Sequence, residues 1–96
     1  MRKITKLAVN AFVAGRSFKS GNTEVTVDNG QSCLKLHGNI IARYSDADGL
    51  FITDAGWPTN TTRERLNGIP GVYIQQKNRV WYLNGEKWDG RLTKIG

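Results

Sequence analysis

Two Asn-Gly dipeptides, Asn29-Gly30 and Asn84-Gly85, restrict this 96-residue chain more than any other feature. A type I′ turn needs positive φ at both central residues, and Asn followed by Gly meets that need at little steric cost. Each pair lies between short stretches in which apolar and polar residues alternate, so each predicts a tight antiparallel hairpin. Around the first, Val25 and Val27 alternate with Glu24 and Thr26, and Leu34 and Leu36 with Cys33 and Lys35. Gly38-Asn39 then reverses the chain into a strand over Ile40 to Tyr44. Ser45 to Gly49 reads as a loop and Leu50 to Thr53 as a further strand, which completes a four-stranded meander.

Ahead of the second pair, Val72, Ile74 and Gln76 alternate with Tyr73, Gln75 and Lys77. A turn at Lys77-Asn78 leads into Val80 and Tyr82, which alternate with Trp81 and Leu83. On this reading Tyr73 and Trp81 stand on the face opposite Val72, Ile74, Val80 and Tyr82. Asn84-Gly85 returns a third short strand through Lys87 and Trp88.

Two segments carry the helical period instead. Ile4, Leu7, Ala8, Ala11 and Phe12 form an apolar stripe that starts at Thr5 or a neighbour and stops at Gly15, and Phe18 returns to the core. In the second, Thr61 and Glu64 have the spacing of a capping box, in which the threonine oxygen accepts from a free helix N–H and the glutamate reaches back. That helix carries Arg63 and Arg65 outward and Leu66 and Ile69 inward. It ends by Gly68 and Pro70. The expectation is a single α+β domain over residues 1–96, with an N-terminal helix, one short capped helix and an antiparallel sheet built from a meander plus a C-terminal hairpin. The order is α-β-β-β-β-α-β-β, and the tail from Gly90 either adds an edge strand or frays.

The apolar runs are too short to span a bilayer as a helix, and the basic N-terminus lacks the apolar region of a signal peptide. A lone Cys33 excludes an internal disulfide and suits a reducing compartment, so the cytosol is the expected location. Chemistry finds little material. His37 is the only histidine, and on one strand it would lie about 13 Å from Cys33 at ~3.3 Å per residue, too far to share a zinc ion. No phosphate-binding glycine loop, nucleophile elbow or zinc-protease helix is present. Asp46, Asp48 and Gly49 lack the glutamate that closes a calcium loop and read as a turn. His37 with Asp54 is the one hydrolytic pairing left, and it requires the fold to bring them together. No catalytic residue, cofactor, metal or small-molecule substrate is expected.

Charge points to binding instead. There are 14 Lys and Arg against 8 Asp and Glu, a formal net charge of +6. Residues 1–20 hold Arg2, Lys3, Lys6, Arg16 and Lys19 and no acid, whereas residues 21–58 are acidic on balance and residues 59–96 basic again. If the two helices pack on one side of the sheet, their outer faces merge into a surface suited to phosphates. If they do not, the patches serve solubility. The second helix and the hairpin tipped by Lys77 and Arg79 resemble the recognition helix and wing of a DNA reader, but the strand-like Gly49 to Thr53 stands where a bracing helix is needed.

The phrases LHGNIIAR (Leu36 to Arg43), GWPTNTTRERLNGIPGV (Gly56 to Val72) and WYLNGEKWDG (Trp81 to Gly90), with the opening MRKITKLAVNAF, resemble a family of small proteins encoded by tailed bacteriophages. The likeness covers nearly the whole chain. The family brings no assigned activity and no catalytic residues to carry over. It implies a phage accessory protein in the host cytoplasm, and such proteins often bind nucleic acid or inhibit a host enzyme or an antiviral defence system.

Two classes of partner follow, neither of them a membrane. For DNA or RNA, Arg63, Arg65, Lys77 and Arg79 contact phosphates, Arg2, Lys3 and Lys6 extend the track, and an outward Trp81 or Tyr73 stacks on a base. For an acidic host protein surface, the same cations steer the encounter while Trp57, Tyr73 or Trp81 serve as anchors. Against both stands the plainer reading that Trp57, Trp81 and Trp88 close a small core and the arginines form a solvated helix face.

Overall fold

The computed structural model describes residues 2–96. The chain runs α1 (Lys3–Ala14), β1 (Phe18–Ser20), β2 (Thr23–Asp28), β3 (Gln31–Leu36), β4 (Asn39–Ser45), β5 (Gly49–Ile52), α2 (Asn60–Asn67), β6 (Ile74–Lys77), β7 (Val80–Leu83), β8 (Glu86–Trp88) and β9 (Thr93–Ile95). The strands form a six-stranded antiparallel sheet in the order β1-β2-β3-β4-β5-β9 and a three-stranded sheet β6-β7-β8. The α+β class and the helix, meander, helix, hairpin order match the sequence expectation. Beyond it, Phe18–Ser20 pairs with β2 as an additional strand; of the two outcomes expected for the C-terminal tail, the edge strand forms, beside β5.

Alternation dictates which side chains meet. Phe18, Val25, Leu34, Ala42, Ile52 and Thr93 are register partners in turn and form one row across all six strands. Val25, Leu34, Ala42 and Ile52 in that row are buried, and full burial of a Val, Leu or Ile side chain contributes about 1.5–3 kcal/mol. Helix α1 covers this face over β2 and β3, and α2 lies against β4. Thr5, Ala8, Val9, Ala11 and Phe12 form the buried stripe of α1, while Leu7 stays in water against expectation. The stop at Gly15 is as expected: its φ is 71°, and the Arg16 N–H donates to the Ala11 carbonyl at 2.9 Å.

The next row, Thr26, Cys33, Arg43, Phe51 and Lys94, points to the opposite side of the large sheet. There the Arg43 guanidinium lies 4.7 Å from the Phe51 ring centroid, a cation–π contact that shields the ring.

Asn29-Gly30 and Asn84-Gly85 adopt the positive φ pairs expected of them, 49° and 77°, then 50° and 91°. Two further turns sit one residue away from their expected places. His37-Gly38, not Gly38-Asn39, joins β3 to β4, and Asn78-Arg79, not Lys77-Asn78, joins β6 to β7. His and Asn accept the left-handed region more readily than most residues, so the first shift follows local chemistry.

The tryptophans divide. Trp81 and Trp88 pack together at a centroid distance of 6.2 Å inside the core, whereas Trp57 is 62% exposed and closes nothing. Trp81, only 8% exposed, corrects the expectation of an outward aromatic. In the register Gln76 pairs with Trp81 and Ile74 with Leu83, so Trp81 shares the inward side of Ile74 and Leu83, opposite Tyr73.

Candidate nucleic-acid interface

The cap of α2 sets the geometry of the basic surface. Thr59, not Thr61, is the N-cap: its hydroxyl accepts from the Thr62 N–H at 3.1 Å. Glu64 therefore does not close a capping box. Its carboxylate turns to α1, where it accepts from the Thr5 hydroxyl and from the Arg2 N–H at 3.2 Å.

Arg65 follows it inward. The side chain is 1% exposed, and its guanidinium donates to the Thr23 hydroxyl at 3.0 Å, the Thr5 hydroxyl at 2.8 Å and the Glu64 carboxylate at 2.5 Å. Arg65 is thus removed from the set of outward phosphate-binding residues. It is a buried, paired charge that locks α2 to α1 and β2. Burial tends to raise the Glu64 pKa, but hydrogen bonds from Thr5, the Arg2 N–H and Arg65, with the positive charge of Arg65, together hold the carboxyl below its ordinary value.

This knot orients the cations that remain outside. Both helices lie on the same side of the large sheet, and the first turn of α1 is bonded directly to α2, so Arg2, Lys3 and Lys6 stand exposed next to α2. On α2, Arg63 donates to Gln76 of β6 at 3.0 Å and to Asn60 at 3.3 Å. Gln76 is followed by exposed Lys77 and by Arg79 in the turn. Two hydrogen-bonded junctions thus connect three cation-bearing elements, the start of α1, α2 and the strand that leads into the β6–β7 turn. Among the described residues, only Arg65 and Arg91 have an acid within salt-bridge distance, so the side chains of Arg2, Lys3, Lys6, Arg63, Lys77 and Arg79 form no direct ion pair. Tyr73, 59% exposed, has its backbone fixed by Asn84 through bonds of 2.9 and 2.8 Å.

A cleft of about 530 Å³ opens at the N-terminal end of α2, and its walls include His37, Asn39, Asp54, Trp57 and Thr61. The fold does bring His37 and Asp54 to one cavity. They do not bond each other: an Asp54 oxygen accepts from the Gly56 N–H at 2.7 Å, and the His37 ring lies 3.5 Å from the Asn22 amide. Sequence reasoning offers Trp57 as an anchor or a core residue and misses the cleft that it lines. The signal for its exposure is its place directly after the turn-forming Ala55-Gly56 and directly before Pro58, where no strand or helix can bury it.

In comparison with known proteins, the family model described as Kyanoviridae Gp96 protein matches residues 1–93. No curated protein and no solved structure matches the chain.

Proposed function

The chain belongs to the Kyanoviridae Gp96 family, a cyanophage protein family, and from that premise we propose that it is a non-enzymatic accessory protein that binds nucleic acid in the host cytoplasm. The observation that supports this reading is the set of cations without a direct ion pair: Arg2, Lys3 and Lys6 beside α2, then Arg63, then Lys77 and Arg79, on elements connected by the Glu64–Arg2 and Arg63–Gln76 hydrogen bonds. Neutralised phosphates release condensed counterions, so such a surface binds DNA or RNA with little dependence on sequence and a strong dependence on salt.

Fluorescence anisotropy with labelled oligonucleotides over a salt series tests it. Binding should weaken linearly in log–log form. The triple variant Arg63→Ala, Lys77→Ala, Arg79→Ala should reduce the slope by about 0.7–0.9 for each phosphate that the protein no longer neutralises. Absence of binding at low salt, or an unchanged slope in the variant, refutes the reading.

A second reading, inhibition of a host enzyme or defence protein through an acidic surface, draws on exposed Trp57 and Tyr73, since such aromatics act as interface anchors. Capture of one host protein that survives nuclease treatment and is abolished by Tyr73→Ala favours it.

A further inference from the structure

We infer that the Trp57 cleft is a nucleobase site, which makes single-stranded nucleic acid the ligand of this protein. The inference rests on the nucleic-acid reading above and narrows it. Trp57 combines a fixed backbone with a free side chain. Its N–H donates to the Asp54 carbonyl at 2.9 Å, and its own carbonyl accepts from the Thr59 N–H and the Thr62 hydroxyl, both at 2.8 Å. The indole nevertheless remains 62% exposed. A backbone held in place before the ligand arrives limits the ordering that binding requires to the indole itself, and a base has a π-face to stack on it.

The walls specify what lies against that plane. Leu36 and Ile41 supply apolar surface, and Asn39 and Asp54 supply polar edges. The Asp54 carboxylate is held by the Gly56 N–H at 2.7 Å and packs so closely against Gly90 that any Cβ there would collide with it. A fixed carboxylate accepts hydrogen bonds from exocyclic amino groups and ring N–H groups, and it repels phosphate. A base therefore enters while the backbone stays outside. Arg63 lies on the neighbouring face of α2, bonded to Asn60 and Gln76, and is not part of the cleft wall. A volume of about 530 Å³ falls within the roughly 300–1,000 Å³ of small-ligand pockets. A base paired inside a duplex cannot reach such a site without being extruded from the stack.

Tryptophan fluorescence tests this, because Trp81 and Trp88 are buried and ligand quenching reports Trp57. The probes are adenosine, cytidine, guanosine and uridine, which carry no phosphate, followed by a labelled single strand and its duplex at moderate salt. The expected result is quenching by all four nucleosides, each of which carries an amino group or a ring N–H, and tighter binding of the single strand than of the duplex. Trp57→Ala should lower single-strand affinity about tenfold to a hundredfold, the range of one base–aromatic stack, with Trp57→Phe retaining most of it. Equal affinity for strand and duplex, unchanged in Trp57→Ala, overturns the cleft assignment and leaves the basic-surface reading standing. Nucleoside quenching without any oligonucleotide binding supports the base site and removes the basic-surface reading. Quenching by neutral oligosaccharides but not by nucleosides overturns the base assignment.

Discussion

The Arg65 guanidinium lies 2.8 Å from the Thr5 hydroxyl, and through this bond a charged residue becomes the centre of the contact between the two helices. Gly68 completes the contact from the same helix end: a Cβ there would come within 2.6 Å of the Thr5 side chain, so α2 approaches α1 only because position 68 has none.

Arg65→Ala should therefore destabilise the domain by about 1–3 kcal/mol, since it leaves the buried Thr5 and Thr23 hydroxyls without the donor they accept from. Arg63→Ala, on the same helix and with bonds only to Gln76 and Asn60, should change stability by no more than about 0.5 kcal/mol. Urea denaturation of the two variants measures the difference, and equal losses contradict the burial of Arg65.

The α2 cap gives a second contrast. Thr59→Ala should cost about 0.5–2 kcal/mol by leaving the Thr62 N–H without its acceptor, whereas Thr61→Ala should stay near neutral because Thr61 caps nothing. The reverse order in thermal melts would restore the capping box at Thr61 and Glu64.

Glu64 supplies a pH dependence. Its folded pKa lies below the ordinary glutamate value, which is about 4.3. The stability it contributes is fully present above that unfolded value and is lost as pH falls through the depressed folded one. Denaturation midpoints should drop below about pH 4, and Glu64→Gln should show a smaller drop over that window than the unaltered protein. Parallel pH profiles for the two proteins would detach Glu64 from acid sensitivity.

The hairpins are legible in the sequence because turn chemistry and alternation are local, and the meander follows from connections too short for any other pairing. The faces are harder to read. In a hairpin with a two-residue turn, directly paired residues carry numbers of opposite parity, so Trp81 belongs with Gln76 and Ile74 and cannot share a side with Tyr73. The sequence contains that inference, but it emerges only when the two strands are read as a pair and not as separate alternations. Arg65 is also marked: Thr62, Arg65, Leu66 and Ile69 recur at helical spacing, and all four are buried. Charge alone suggests solvent, whereas the acceptors that make its burial tolerable, Thr5, Thr23 and Glu64, come mostly from distant segments. The Trp57 cleft is not legible, because its walls come from β3, β4, the loop after β5 and α2.

The three tryptophans turn this division into a measurement. Trp81 and Trp88 stack on each other inside the core, and the Trp88 indole N–H donates to the Thr93 hydroxyl at 2.9 Å, tying the small sheet to the edge strand β9. Trp81→Ala should cost about 3–5 kcal/mol, the usual range for removing a large aromatic side chain from a packed interior. Trp57→Ala should shift stability by no more than about 0.5 kcal/mol, because its structural bonds come from the backbone and survive the change. Acrylamide quenching gives an independent readout: Trp57→Phe should remove most of the accessible emission and leave a protected, mutually stacked pair. A large stability loss in Trp57→Ala would mean that the indole itself supports the start of α2, and the cleft would then be part of the structural frame instead of a site left open for a base.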